Sequence, residues 1–321
     1  MKKRLLLAML AGCGKFEDPA IVVDLRPIAM QADYPEQVVD VDLQNPPTAD
    51  QVLAELHDAH VRVLLSDRNF DRSIRWHAEL CNLNNAERCD HGNPYVDLGS
   101  GTWLDPDRYS PGVITIPADG NLLGVLFDEL QYDALHGLGG ISYGVSVKFG
   151  GVDADPALDQ YAAKSLAVQP NIPAPRLPNT NPTIDHIDAE IGGKDAGTVQ
   201  PLPLGVCGDG NPMITMPVAT KLHLTPVELP TTRETYSVPT IDGKSRTFTE
   251  AVTYQWLASA GKFSDATTGG GHDPFGNLAP ADTDYTSPAA KDVDGDIQLW
   301  TIVRDERLGV SIYMACVHIQ P

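Results

Sequence analysis

Proline and glycine recur so often along this chain, 26 and 28 times in 321 residues, that few uninterrupted stretches suit a long helix. Each proline removes a backbone donor and each glycine weakens helix propagation, which leaves short extended segments between turns. That pattern favours an all-β architecture. With 42% hydrophobic residues a packed core is within reach, and the length is ample for two domains.

The amino terminus reads differently from the rest. Lys2, Lys3 and Arg4 precede the apolar run Leu5 to Leu10, and Ala11, Gly12 and Cys13 follow. This is a signal-peptide layout, and the apolar run is far shorter than the roughly 20 residues a spanning helix needs. The order Leu10, Ala11, Gly12, Cys13 resembles the lipobox of bacterial lipoproteins. That resemblance implies a signal peptide over residues 1–12, lipid on the Cys13 thiol and a lipidated tether over 13–19. Several acyl chains on one cysteine anchor a protein durably to a bilayer. Gly14, where an aspartate would signal retention, implies the outer membrane of a bacterial envelope.

Charge and sulfur then constrain the exported part. The formal charge is −20, and with Lys2, Lys3 and Arg4 removed it falls to about −23, with 43 acidic residues facing 20 basic ones. Such a surface repels phosphate backbones, so nucleic acid is excluded as a partner, while cationic surfaces are admitted. Besides Cys13, four cysteines remain for an oxidising compartment. Three pairings are open. Cys81 and Cys89 flank the polar stretch Asn82 to Arg88, which favours a local bridge and leaves Cys207 with Cys316 across a long loop. Closing about 100 residues is worth roughly 4–5 kcal/mol in the chain-entropy account. The rival use of His77, Cys81, Cys89 and His91 is a zinc site, although their spacing matches no standard zinc knuckle.

Ala20 to Met30 and Gln37 to Leu43 read as strands around a turn at Pro35. Val61 to Ser66 and Ser73 to Leu80 follow, the last carrying Trp76 toward Cys81. Strand, Tyr-Pro-Glu turn, strand and tryptophan before cysteine resemble the opening of an immunoglobulin-like sandwich and the first domain of Gram-negative surface lipoproteins. Asn82 to Gly120 reads as a long connection. Asn121 to His136 has helical spacing in Leu122, Val125, Leu126 and Leu130, with Gly137 as its stop. Ile141 to Phe149 and Tyr161 to Gln169 complete a domain over 20–169, and five prolines and three asparagines make 170–182 a linker.

In the remaining 183–321, strands are expected at Ile184 to Ile191, Thr220 to Val227, Val252 to Ala258, Ile297 to Arg304 and Val310 to Ile319. Tyr254-Gln255-Trp256, Gly261-Lys262-Phe263-Ser264 and Asp305 to Gly309 resemble the polycystin-repeat (PKD) and related bacterial immunoglobulin-like domains. The resemblance implies Trp256 as the core anchor. It breaks at Tyr285, which stands before Ser287 and Pro288 where a tryptophan is usual. The expected fold is mainly β, two immunoglobulin-like sandwiches with one short helix in the first.

Three motifs touch on chemistry. Gly140-Ile141-Ser142-Tyr143-Gly144 has the form of a nucleophile elbow, but the elbow needs a strand before its serine and a helix after it, the reverse of the order here. Gly243-Lys244-Ser245 ends like a phosphate loop without its first glycine, because Val238 occupies that place, and reads as a hairpin turn. Asp292, Asp294 and Asp296 form a candidate calcium site, with Asp153, Asp155 and Asp159 as a second, although position twelve from Asp292 is Val303 instead of an EF-hand glutamate. The expectation is a non-enzymatic, lipid-anchored envelope protein, structural, adhesive or assembly-directing, meeting envelope proteins or surface polymers. The alternatives are a sugar-binding accessory module or loop-borne hydrolase, and a calcium-stabilised surface module.

Overall fold

A computed structural model describes residues 18–42, 44–45, 47–66, 73–82, 89, 95–103, 112–208, 210–240, 242–289 and 295–320. The first half contributes strands β1 (Arg26–Ala32), β2 (Glu36–Val39), β3 (Ala59–Ser66), β4 (Ile74–Asn82), β5 (Tyr95–Trp103), β6 (Gly112–Ile116), β7 (Ile141–Gly151) and β8 (Gln160–Pro170), with helices α1 (Ala49–Glu55) and α2 (Gly120–Tyr132). Two sheets result, ordered β1-β3-β6 and β2-β8-β7-β4-β5, antiparallel except where β2 runs parallel to β8. Val61, Val63 and Leu65 share one core with Ile74, Ala78 and Leu80 and with Tyr143, Val145 and Phe149, the period-two alternation of a sandwich.

The stretch Asn82 to Gly120, expected as a long connection, instead supplies β5 and β6. Strand β5 hides its period because Gly99, at φ +109°, sits at a register shift opposite Ala78 and Glu79. Helix α2 starts where Asp119 accepts from the Asn121 and Leu122 amides, at 2.8 and 3.2 Å, and buries Leu122, Leu123, Val125 and Leu126. The shorter α1 adds a second helix to the one expected; it is nucleated by a capping box between Thr48 and Gln51.

The second half contributes β9 (Ile184–Ile191), β10 (Val199–Pro201), β11 (Ile214–Pro217), β12 (Lys221–Glu228), β13 (Thr235–Pro239), β14 (Ser245–Thr249), β15 (Val252–Ala258), β16 (Lys262–Phe263), β17 (Thr267–Gly270), β18 (Thr283–Thr286), β19 (Asp296–Asp305) and β20 (Val310–Gln320). Sheets β10-β9-β12-β18-β16 and β11-β20-β19-β15-β17 face each other, and β13 and β14 form a separate hairpin. Trp256 is 1% exposed in the core between them, its Nε1 donating to Thr268 Oγ1 at 2.8 Å. Tyr285 is fully buried beside it and donates to the Ala260 carbonyl at 2.9 Å. Gly261 is required there, because a Cβ would lie 2.5 Å from the Tyr285 hydroxyl and φ is +93°. The anchored hydroxyl fixes the buried Tyr285 ring in place.

The two sandwiches are themselves stacked. Ile28, Ala29 and Leu64, from β1 and β3, form a third apolar cluster with Leu257, Trp300, Ile302 and Val310, from β15, β19 and β20. Strand β19 is therefore covered on both faces along most of its length. Before β1 the chain lies on the second sandwich: Ala258 N donates to Ala20 O at 3.0 Å and Val22 N to Ala258 O at 2.8 Å. Ala20 joins that sandwich's core, because the Ala258 backbone offers an unpaired donor and acceptor at that end of β15.

Candidate functional site

Charged side chains gather where the linker 171–183 crosses between the sandwiches. Glu36, on β2, is 3% exposed and meets two guanidinium groups, Arg307 at 2.6 Å and Arg176 at 3.3 Å. Arg307 sits in the β19–β20 turn and also reaches Glu250 at 3.3 Å and Glu234 at 3.5 Å. Asn179 donates to Asp305 at 3.1 Å and to the Arg307 carbonyl at 2.8 Å. Asn181 ties the halves directly, donating to Ala32 O at 2.7 Å and accepting from Val310 N at 2.9 Å. Lys164, on β8, donates across the junction to the Leu308 carbonyl. Burial, with Asp305 nearby, pushes the Glu250 carboxyl up to about 7. Burial likewise lowers the Lys164 ammonium to about 8, against the opposing pull of Asp305.

Beside this junction opens a groove of about 440 Å³ with Glu36, Ser142, Arg176, Tyr236, Glu306 and Arg307 on its walls. The β13–β14 hairpin supplies Tyr236, whose hydroxyl donates to Glu306 at 2.7 Å. Partial burial and that carboxylate push the phenol up to about 12. The Tyr236 ring stacks on Phe248, centroids 5.7 Å apart, and the Arg307 guanidinium lies 4.9 Å from its centroid. Leu138 borders this groove and also a second, apolar cleft of about 250 Å³ walled by Val39, Val52, Leu126, Phe127 and Leu130. Phe127 remains 44% and Leu138 39% exposed at its mouth. The molecule thus has a bipartite recess, polar over the junction and apolar between α1, α2 and the β2–β8 edge.

The residues singled out in the sequence lie elsewhere, apart from Ser142. Cys13, Asp292 and Asp294 fall outside the described residues, as does His91. Asp296 opens β19 and its carboxylate is held 2.6 Å from His318 Nδ1. Asp159 is neutralised by Arg75, and Asp155 caps a short 3-10 turn through the Ala157 amide at 2.9 Å. Cys81 is bridged to Cys89 and Cys207 to Cys316, with Cα separations of 5.5 and 5.1 Å. The first bridge removes both thiolates that the zinc alternative needed. Ser142 lies exposed at the entry to β7, followed by strand, so the strand–serine–helix order of an elbow is missing there. Gly243 adopts φ +77° in the β13–β14 turn, with its amide donating to Thr240 O at 2.9 Å. Sequence reading missed Glu36, Arg176, Glu250 and Arg307, since each belongs to a different segment and only the stacking of the sandwiches assembles them.

No protein-family model matches the chain, and no curated protein matches it in sequence. Among solved structures it is similar to murine CEACAM1b, at 8% identity and TM-score 0.21 over 91% of this chain and 100% of that one. It is also similar to Escherichia coli alpha-2-macroglobulin, at 8% identity and TM-score 0.23 over 93% of this chain and 17% of that one. A third is a Bacteroides ovatus glucan-utilisation protein, SGBP-B, in complex with a mixed-linkage heptasaccharide, at 9% identity and TM-score 0.19 over 92% and 70%. Likeness this remote carries no argument about activity or ligand, and the description of this chain as a mainly β protein of stacked sandwiches rests on its own strands.

Proposed function

We propose that the chain is a rigid binding module of a bacterial cell envelope, carried on a membrane by lipid at Cys13 and meeting its partner through the bipartite recess. The observation that supports this reading is the junction itself. Glu36, Arg176, Arg307 and Glu250 are mutually paired and buried around the linker, with the apolar cluster of Leu64, Trp300 and Ile302 beneath. Such a junction fixes the sandwiches relative to each other and holds the polar half of the recess at constant shape, which lowers the entropic cost of binding. Two internal disulfides suit an oxidising compartment.

A protein partner suits the recess better than a sugar, because Tyr236 already has Phe248 and Arg307 against its ring. Binding also suits it better than hydrolysis, since neither histidine nor carboxylate holds the Ser142 hydroxyl among the described residues. The test is metabolic labelling with palmitate and fractionation of the full chain and its Cys13→Ala variant. Label on the membrane-bound full chain, absent from the variant, is the expected result. An unlabelled protein recovered from the cytosol with free thiols overturns the reading.

A further inference from the structure

The apolar half of the recess carries a more specific conclusion, which rests on the binding-module reading above. Among the described residues its lining includes no lysine or arginine, and His136 is the one titratable side chain there. The segments that supply most of that wall are equally one-sided, since the cations of the remaining strands are Lys148, toward the far end of β7 from Ile141, and Lys164 of β8, which donates to the Leu308 carbonyl across the junction. Neither Asp33 to Ala59 nor Gly112 to Val147 contains a single lysine or arginine. Asp40, Asp42, Asp50 and Glu55 are exposed around β2 and α1, and Asp128 and Asp133 stand near the end of α2. Burial, with smaller contributions from Asp128 and Asp133, raises the Glu129 carboxyl above its ordinary value. Large apolar side chains stand in water around the cleft: Phe127, in its wall, is 44% exposed, Tyr132 at the end of α2 71%, and Leu135, in the adjoining groove, 53%. An apolar patch of this kind, rimmed by polar groups, marks an interaction surface.

We infer that this cleft docks a basic amphipathic helix of a partner protein, its leucine-type anchors entering between α1 and α2 and its lysines or arginines facing the acidic rim. Three features select that occupant. The volume of about 250 Å³ falls below the usual 300–1,000 Å³ of a small-molecule pocket but accepts the few side chains that anchor a helix laid along a groove. The rim carries one sign of charge, which steers and selects a cationic partner. A second copy of this chain brings the same acidic rim and a formal charge of −20, so like meets like. Anionic lipid is repelled for the same reason.

The experiment measures binding of the purified full chain to a fluorescent 18-residue peptide of leucine and lysine with the leucines on one helical face. Controls are a scrambled peptide of identical composition and an analogue with glutamate for lysine. The helical lysine peptide is expected to bind at least about tenfold more tightly than either control, to gain helicity on binding and to weaken as salt is raised from 0.05 to 0.5 M. Phe127→Ala, at an exposed position, and Leu138→Asp, at the mouth, are each expected to weaken it about tenfold or more, and Asp50→Lys severalfold, all with unchanged far-ultraviolet circular dichroism and melting temperature. Equal binding of the scrambled or glutamate peptide overturns the inference. So does binding of the lysine peptide that Phe127→Ala and Leu138→Asp leave untouched. Two further results overturn it in favour of another occupant: a dimer in sedimentation that Leu138→Asp dissolves, or uptake of a neutral fluorescent acyl chain that Leu138→Asp blocks while the peptide stays free. Palmitate labelling is independent of all these readouts, so a failed peptide test in a labelled protein retires this inference and leaves the envelope-module reading standing.

Discussion

Glu250 is 1% exposed, and its cationic neighbour Arg307 is shared with Glu36 and Glu234. Its folded pKa, about 7, lies above the value of 4.5 for a free glutamate, so the folded state keeps a proton that the unfolded state releases. The stability this group contributes is complete below about pH 4.5 and is lost as the pH rises through 7. Lys164 works in the opposite sense: its folded value of about 8 lies below 10.5, so its contribution is present above that unfolded value and is lost as the pH falls through 8. Glu250→Gln is expected to flatten the fall in unfolding free energy between pH 5 and 8 by on the order of 2–3 kcal/mol, read from denaturant melts at each pH. A variant whose pH dependence parallels the parent shows that Glu250 titrates as an ordinary carboxylate. Arg307→Ala strands Glu250 and leaves Glu36 with Arg176 alone, and a loss of about 3–5 kcal/mol at pH 7.5 is expected in the same melts.

At the scale of elements, strands with a clean period or an unbroken apolar run were legible in the sequence, and those shaped by tertiary contact were not. Strands β9 and β15 match their expected limits, because Ile184, Ile187 and Ala189 and then Val252, Tyr254 and Trp256 mark the buried face. Strand β1 begins at Arg26, six residues later than the extended pattern from Ala20 implies, since Ala20 and Val22 look like strand residues but bury themselves on the second sandwich. Strands β13 and β14 bury none of their side chains fully, β14 leaving four of its five exposed, so neither has a buried apolar face to betray it. The candidate site was the least legible feature, because Glu36 and Arg307 are 271 residues apart and nothing local distinguishes either one. Two covalent or capping devices give element-scale expectations. The Cys207–Cys316 bridge spans 109 residues and pins the approach to β11 against β20. Replacing both cysteines with serine is expected to cost about 2–5 kcal/mol in urea melts under oxidising conditions, and an unchanged midpoint shows the bridge to be energetically idle. Thr48→Ala removes half of the α1 capping box, and a loss of about 0.5–2 kcal/mol is expected.

For the whole molecule, the stacking of the sandwiches decides whether the chain behaves as two units or one. A proline-rich linker of the kind at 170–182 ordinarily separates domains that move independently. Here the linker is itself bonded into the junction, through Asn171 to Asp40 at 2.7 Å and through Asn179 and Asn181 to both halves. Beneath it Trp300, 3% exposed, packs with Leu64 at 2% in an apolar layer that neither sandwich completes alone. Leu64 faces away from the core formed by Val61, Val63 and Leu65, yet is buried, because the second sandwich covers that face. The chain is therefore expected to unfold in one calorimetric transition, with equal calorimetric and van't Hoff enthalpies. Trp300→Ala opens a void in the shared layer and is expected to cost about 3–5 kcal/mol. Leu64→Asp places a charge there without touching either sandwich core, and it should split the melt into two transitions, each near the size of one sandwich. A parent protein that already melts in two steps, or a Leu64→Asp variant that still melts in one at the parent midpoint, shows that the sandwiches are merely adjacent, and the polar groove between them then has no fixed shape to offer a partner.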